Sequence, residues 1–150
     1  MNRKIFFTVF YFLLILSAGQ AQQIKYCEMI GKTVNDVIKV YGKPAHQDFN
    51  SASMKCLFYQ TKGGRSAFIA DEKGVYQIQV DLLFGSEREA EKSINNFLNG
   101  CSQQAYKIDT LNTGNYKILS PGVKMELTLF ENTFTKKFEI KFIANRSENK

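Results

Sequence analysis

Residues 75–84 alternate between apolar and polar side chains with a period of two. Because successive side chains of a strand point to opposite faces, this period indicates a strand with one buried and one solvated face. Such strands are typical of antiparallel sheets, since parallel strands are usually buried on both faces. The predicted buried side chains are Tyr76, Ile78, Val80, Leu82 and Phe84, and the predicted solvated ones are Gln77, Gln79 and Asp81.

Weaker strand signals lie on both sides of this segment, separated by turn residues such as Lys62-Gly63-Gly64 and Pro121-Gly122. Two strands are predicted before it and three or four after a second helix. They cover residues 54–60, 65–70, 105–111, 116–120, 123–130 and 134–144.

Two helices are predicted from their caps and apolar stripes. The first begins at Thr33, with Asp36 three residues on, and ends at Gly42, which Pro44 follows. The second begins at Ser86 with Glu89 and is expected to end at Gly100. Their stripes are Val34, Val37, Ile38 and Tyr41 in the first helix, and Ala90, Ile94, Phe97 and Leu98 in the second.

The order of these elements favours the α+β class. We expect an antiparallel sheet of about six strands with both helices on one face. The order along the chain is α-βββ-α-βββ, with a possible seventh strand.

The first residues have the layout of a secretory signal peptide. Arg3 and Lys4 precede an apolar run of twelve residues, and Gly19 and Ala21 suit the −3 and −1 positions of a cleavage site. The run is too short for a membrane span, which needs about 20 apolar residues. We therefore expect a signal peptide at 1–21, a single domain at 22–150 and export to the periplasm or medium. Gln20 stands where a lipoprotein would carry its lipidated cysteine, so no stable membrane anchor is expected after cleavage.

Charge and composition give no indication of a nucleic-acid partner. The net charge is +6, and loss of the signal peptide leaves about +4. The remaining cations are scattered, without the basic cluster that nucleic-acid binding requires.

Three cysteines, Cys27, Cys56 and Cys101, remain after cleavage. In an oxidising compartment an odd number indicates one bridge and one thiol. Cys27 precedes the first helix and Cys101 follows Gly100, both in predicted connections, whereas Cys56 lies in a strand. The Cys27–Cys101 pairing is favoured, with Cys27–Cys56, Cys56–Cys101 and the reduced form left open.

Gly31-Lys32-Thr33 matches the end of a phosphate-binding P-loop, but Tyr26 stands where that motif needs its first glycine. No nucleotide, cofactor or metal is expected, since the single histidine, His46, has no cluster of donors beside it. No catalytic residue is predicted either. The alternatives weighed were a Cys56–His46 nucleophile and base, and the adjacent acids Asp71 and Glu72.

Gly31-Lys32-Thr33, Asp36-Val37, Gly42-Lys43-Pro44 and the strand CLFYQ follow one another in a recognisable order. Residues 30–84 thereby resemble the start of the SmpA/OmlA (BamE) family of small envelope lipoproteins and the β-lactamase-inhibitor-protein-like fold. The resemblance implies a non-catalytic module that binds other envelope proteins.

Three functions follow as hypotheses. The first is an exported module that binds an envelope or secreted protein in an assembly, inhibitor or immunity-like role. The others are a small exported hydrolase and a small protein that binds an apolar ligand. A concave pocket with converging polar groups would favour a ligand or substrate, and an exposed apolar sheet face would favour a protein partner.

Overall fold

The computed structural model describes residues 26–51 and 53–147. Residues 26–28 form a short helical segment. The helices that follow are α1 (Val34–Tyr41) and α2 (Glu87–Gln103). The strands are β1 (His46–Ser51), β2 (Met54–Thr61), β3 (Gly64–Asp71), β4 (Gly74–Phe84), β5 (Lys107–Asn112), β6 (Asn115–Ser120), β7 (Val123–Asn132) and β8 (Lys137–Arg146).

All eight strands form one antiparallel sheet, in the order β1-β2-β3-β4-β8-β7-β6-β5. The chain repeats one plan, a helix followed by a four-stranded meander. We call α1 with β1–β4 the first unit, and α2 with β5–β8 the second unit. The last strands of the two units, β4 and β8, pair at the centre of the sheet, and β1 and β5 form its edges.

This architecture corrects the predicted fold class. The part of the chain that the structure describes is mostly sheet, with eight strands and three helical segments, where about six strands and two helices were expected. The missed strand, β1, has the sequence HQDFNS, and only Asp48 in it is even half-buried. A polar edge strand lacks the alternation of apolar residues from which strands are predicted.

Helix α1 has the ends that its sequence predicts. The Thr33 hydroxyl accepts a hydrogen bond from the Asp36 amide at 3.2 Å, and the Asp36 carboxylate accepts one from the Thr33 amide at 3.1 Å. This reciprocal capping box satisfies two amides that the first turn leaves without helical partners. At the other end Gly42 takes a φ of +80°, a conformation that favours glycine.

Helix α2 begins at its predicted cap, Ser86, but its predicted end is wrong. The helix continues through Gly100 to Gln103, so that Cys101 lies inside its last turn. The left-handed position that ends the helix is occupied by Ala105, with a φ of +58°. Packing decides this boundary, because Cys101 is 3% exposed and belongs to the core.

The predicted signal peptide, residues 1–21, lies outside the described residues. Among the helices that the structure describes, none is long and apolar enough to cross a membrane.

Candidate functional site

The two faces of the sheet differ sharply, because the helices described between residues 26 and 147 all pack on one of them. On this helix face, one row of paired residues crosses the sheet and is apolar from β2 to β5. Its members are Gln47, Leu57, Phe68, Ile78, Ala144, Met125, Ile118 and Ile108. From Leu57 to Ile118 each of them is no more than 1% exposed.

The neighbouring row, one residue along each strand, lies on the opposite face, which we call the open face. Within residues 26–51 and 53–147 no helix belongs to this face. The row contains His46, Phe58, Ala67, Gln79, Ile143, Glu126, Lys117 and Asp109. The register also places on this face several large apolar side chains that are 38–50% exposed. They are Met54, Phe58, Leu83, Leu119 and Phe130.

A depression of about 370 Å³ lies in the first unit. On the open face it is centred on Ala67, whose small side chain is paired with Phe58 on one side and Gln79 on the other. His46 stacks on the Phe58 ring, with ring centroids 5.7 Å apart. The depression thus has an apolar floor between two larger neighbours.

An ion pair forms part of the wall of this depression. The Arg65 Nε donates to Asp81 Oδ2 at 2.7 Å across the β3–β4 pair. The Arg65 side chain is 76% exposed, so its guanidinium keeps donors free for a partner. Gln60 and Gln79 add amide groups to the same wall. An apolar floor with polar groups around it is suited to holding one apolar side chain of another protein.

Gly31-Lys32-Thr33 holds the chain onto the sheet. The Gly31 amide donates to the Val75 carbonyl at 2.7 Å, and the Val75 amide donates to the Lys32 carbonyl at 2.8 Å. These bonds add the segment to the start of β4 as a short extra bridge. The Gly31 amide is therefore occupied and cannot cradle a phosphate, while Thr33 is used as the helix cap.

Among the described residues, no hydrogen bond joins Cys56 to His46, the nucleophile and base of the hydrolase hypothesis. His46 stacks on Phe58, whereas Cys56 pairs across the strands with Asp48. Burial and, to a smaller extent, the charge of Asp48 raise the pKa of the Cys56 thiol, the opposite of what activates a cysteine. Asp71 is bound to Arg146, and this hydrogen bond holds the pKa of Asp71 below its usual range. That direction does not suit a general acid.

Cys27 and Cys101, predicted as a bridged pair, line one small cavity on the helix face. The structure carries both as thiols, and also Cys56. Among the described residues, no group of three or more histidine, cysteine or acidic side chains could hold a metal ion.

A second concavity, of about 410 Å³, lies between the start of α2 and the β6–β7 hairpin. Its apolar lining comes from Ile94, Tyr116, Leu129 and Phe138. Three carboxylates stand at the same groove, those of Glu87, Glu91 and Glu131.

The sequence contained a signal for the depression that prediction did not use. If 54–60 and 65–70 alternate like 75–84, then Phe58, Arg65 and Ala67 fall on the face opposite Leu57 and Phe68. Only the register, which sets Phe58 against Ala67, brings them together.

No protein-family model matches the sequence, and no curated protein matches it significantly. One solved structure with some likeness is the 1.5 Å crystal structure of an extracellular protein containing a SCP domain from Bacillus anthracis str. Ames. The two chains are 13% identical with a TM-score of 0.43, over 77% of this chain and 44% of that chain. At that level the likeness carries no conclusion on function, and the similarity to the SmpA/OmlA (BamE) family stays a prediction.

Proposed function

We propose that this chain is an exported, non-catalytic binding module that acts through protein–protein contacts made by the open face. The observation that supports this most is the open face itself. It presents five large, exposed apolar side chains and the Ala67 depression, and no described helix covers it. An exposed apolar side chain beside a concavity, as Phe58 is beside Ala67, suits an interaction site.

The open face is large enough for a specific complex. Eight strands at about 4.8 Å spacing give a sheet roughly 35 Å wide. A face of that width can supply the ~800 Å² that each partner buries in a standard interface. The second unit adds mixed charges, including Lys117, Glu126 and Lys141, which would serve as a polar rim.

The partner's chemistry follows from the depression. It should be a protein that inserts one aromatic or branched aliphatic side chain against Phe58 and Ala67. A polar group beside that side chain would meet the exposed Arg65 guanidinium. Contacts of this kind, with an apolar anchor and an arginine, carry most of the energy in many interfaces.

The cellular setting rests on the first residues. The signal-peptide layout at 1–21 supports a periplasmic or secreted location, where the partner is an envelope or secreted protein. The resemblance of residues 30–84 to non-catalytic envelope modules supports the same role in assembly, inhibition or immunity.

Site-specific photo-crosslinking in exporting cells tests the proposal. A photoreactive phenylalanine analogue at Phe58 should give one adduct of discrete mass, and unlabelled wild-type protein should compete for it. Two substitutions, each made in the unlabelled competitor, should raise the concentration needed for competition by a factor of about ten or more, the usual effect at an interface anchor. Phe58→Asp places a charge on the apolar floor, and Ala67→Trp fills the depression.

Phe134→Asp is the matched control. Phe134 is 97% exposed in the turn between β7 and β8, so the same chemical change there should leave competition unchanged. The proposal fails if folded Phe58→Asp and Ala67→Trp proteins compete as well as wild type. It fails equally if the analogue gives the same adduct at Phe134 as at Phe58.

A second candidate function, binding of a small ligand, is favoured by the groove beside α2. Its apolar lining and three carboxylates suit an amphiphilic cation. The chain has no tryptophan, so Tyr116→Trp would report on the groove by fluorescence. Saturable binding of dodecyltrimethylammonium below its micelle concentration, with none of dodecyl sulfate, would support it. Equal responses to both detergents would count against it.

A further inference from the structure

The cavity shared by Cys27 and Cys101 measures about 110 Å³ and lies on the helix face of the sheet. Cys101 reaches it from the last turn of α2, and Cys27 from the helical segment at 26–28. Phe97, Tyr106 and Val123 enclose the two thiols. Two cysteines far apart in sequence thus line the same small cavity.

The contacts of Cys27 place it firmly over the second unit. Its Sγ lies 3.1 Å from the Sδ of Met125, a residue of β7 that is 1% exposed. The charge that Cys101 would carry as a thiolate contributes, after burial, to raising the pKa of Cys27 to about 12. That interaction weakens with distance, which agrees with the two thiols lining one cavity.

Cys56 is separated from this pair by the sheet itself. It pairs with Ile69 of β3 and Asp48 of β1, and its side chain points to the open face. Leu57, the next residue, points to the helix face. The topology therefore brings two thiols together and isolates the third.

We propose that Cys27 and Cys101 are joined as a disulfide in the exported protein, and that Cys56 remains a thiol. The bond forms by thiol–disulfide exchange with a disulfide-bearing oxidant of the exported compartment. The two thiols lose two protons and two electrons as their sulfurs bond, and the oxidant's disulfide is reduced to two thiols. This inference depends on the export in the proposed function but not on the partner.

The timing of the reaction follows from burial. Exchange requires a thiolate, and burial raises the pKa of Cys101 to about 11 as well as that of Cys27. In the folded, reduced protein both thiols react slowly. We therefore expect the bond to form before folding buries the two thiols.

The bridge would close a loop of about 75 residues and tie the residues before α1 to the end of α2. It would thus join the beginning of the first unit to the helix of the second. A link of this kind adds to the pairing of β4 with β8, which is otherwise the main connection between the units.

Thiol counting and peptide mapping test the proposal on the protein recovered from the exported fraction. Denatured without reductant, the protein should show one reactive thiol per chain, and Cys56→Ser should reduce this to none. Non-reducing peptide maps should recover Cys27 joined to Cys101. Dithiothreitol should lower the melting temperature of Cys56→Ser by roughly 10 °C.

Refolding of purified residues 22–150 in a glutathione redox buffer tests the pairing independently of whether the protein is exported. The same bridge should form there, whatever the cellular location of the protein. Three reactive thiols per chain after refolding, or a map with Cys56 in the bridge, would overturn the pairing. So would a Cys56→Ser protein whose melting temperature is the same with and without dithiothreitol.

Discussion

The two units cover the same sheet with different helices. In the first unit α1 has eight residues and a single fully buried side chain, Val37. In the second unit α2 has seventeen residues and buries Ala90, Ile94, Phe97 and Cys101 along one stripe. Isolated helices shorter than about 12 residues are marginal in water. The short helix therefore needs other means of attachment.

Helix α1 is attached to the sheet through aromatic contacts and backbone hydrogen bonds. The Phe68 ring lies at the centre of a cluster with Tyr26, Tyr41 and Tyr59, at centroid distances of 6.0, 5.0 and 5.7 Å. In the second unit, Phe97 meets the single ring of Phe142 at 5.4 Å. The first unit also has the Gly31–Val75 bridge onto β4. The comparison teaches that a short helix can be held in place by the backbone bridge that precedes it and by the aromatic cluster beneath it.

The largest effect is expected from Gly74→Ala, which breaks the first unit's extra attachment. Gly74 has a φ of +99°, and an added Cβ would lie 2.6 Å from the Gly31 carbonyl oxygen. Backbone strain of roughly 1–2 kcal/mol together with this overlap should lower the free energy of unfolding by about 3 kcal/mol. Urea denaturation measures it.

Gly122→Ala is the matched control in the second unit. Gly122 has a φ of +76°, but a Cβ there would meet nothing within 4 Å. Only the backbone cost, about 1 kcal/mol, is expected. Equal losses for the two variants would mean that the Gly31 bridge does not matter to the first unit.

The next largest difference in the free energy of unfolding is expected between the aromatic contacts of the two units. Phe68→Leu removes three ring contacts and Phe97→Leu removes one, and each pair contributes about 0.5–1.5 kcal/mol beyond its buried area. We expect losses of about 3 kcal/mol for Phe68→Leu and about 1.5 kcal/mol for Phe97→Leu. Thermal and urea unfolding of both proteins would measure this, and a larger loss for Phe97→Leu would reverse the comparison.

The smallest effect concerns the helix starts. Thr33 belongs to a complete capping box, whereas the Ser86 hydroxyl accepts one bond from the Glu89 amide at 3.3 Å. Thr33→Ala should cost about 1 kcal/mol and Ser86→Ala about 0.5 kcal/mol. Thr33→Ser, which keeps the hydroxyl, should restore most of the loss. An unchanged urea midpoint for Thr33→Ala would show that α1 does not depend on its cap.

The parts of the fold that the sequence predicts are those fixed by local chemistry. Strand segments within β2 to β8, both helix starts and the end of α1 were located from alternation, turn residues and caps, although the expected total of about six strands was wrong. The end of α2 was predicted wrongly, because burial of Cys101 outweighs the preference of Gly100 for a helix end. Strand β1 was missed because it forms through backbone pairing with β2, and its own residues carry little strand pattern.

The candidate site was less predictable than the fold for a related reason. Neither Phe58 nor Ala67 belongs to a motif, and their proximity is set by the register of β2 on β3. The Cys27–Cys101 pairing was predicted by placing both residues in connections; Cys101 instead lies within α2, and the pairing stays a prediction. Which residues meet across a sheet depends on long-range pairing, which one sequence expresses weakly.

The central position of β8 has a consequence for the order in which the molecule can be made. During synthesis from the N-terminus, β4 is complete long before Lys137–Arg146 has been made and can pair with it. Until then the edges of β4 and β7 that pair with β8 both carry unpaired backbone groups, and neither meander can close the common core. Contacts so distant in sequence slow folding. The core shared by the two units can therefore close only after Lys137–Arg146 has been made and has paired with β4.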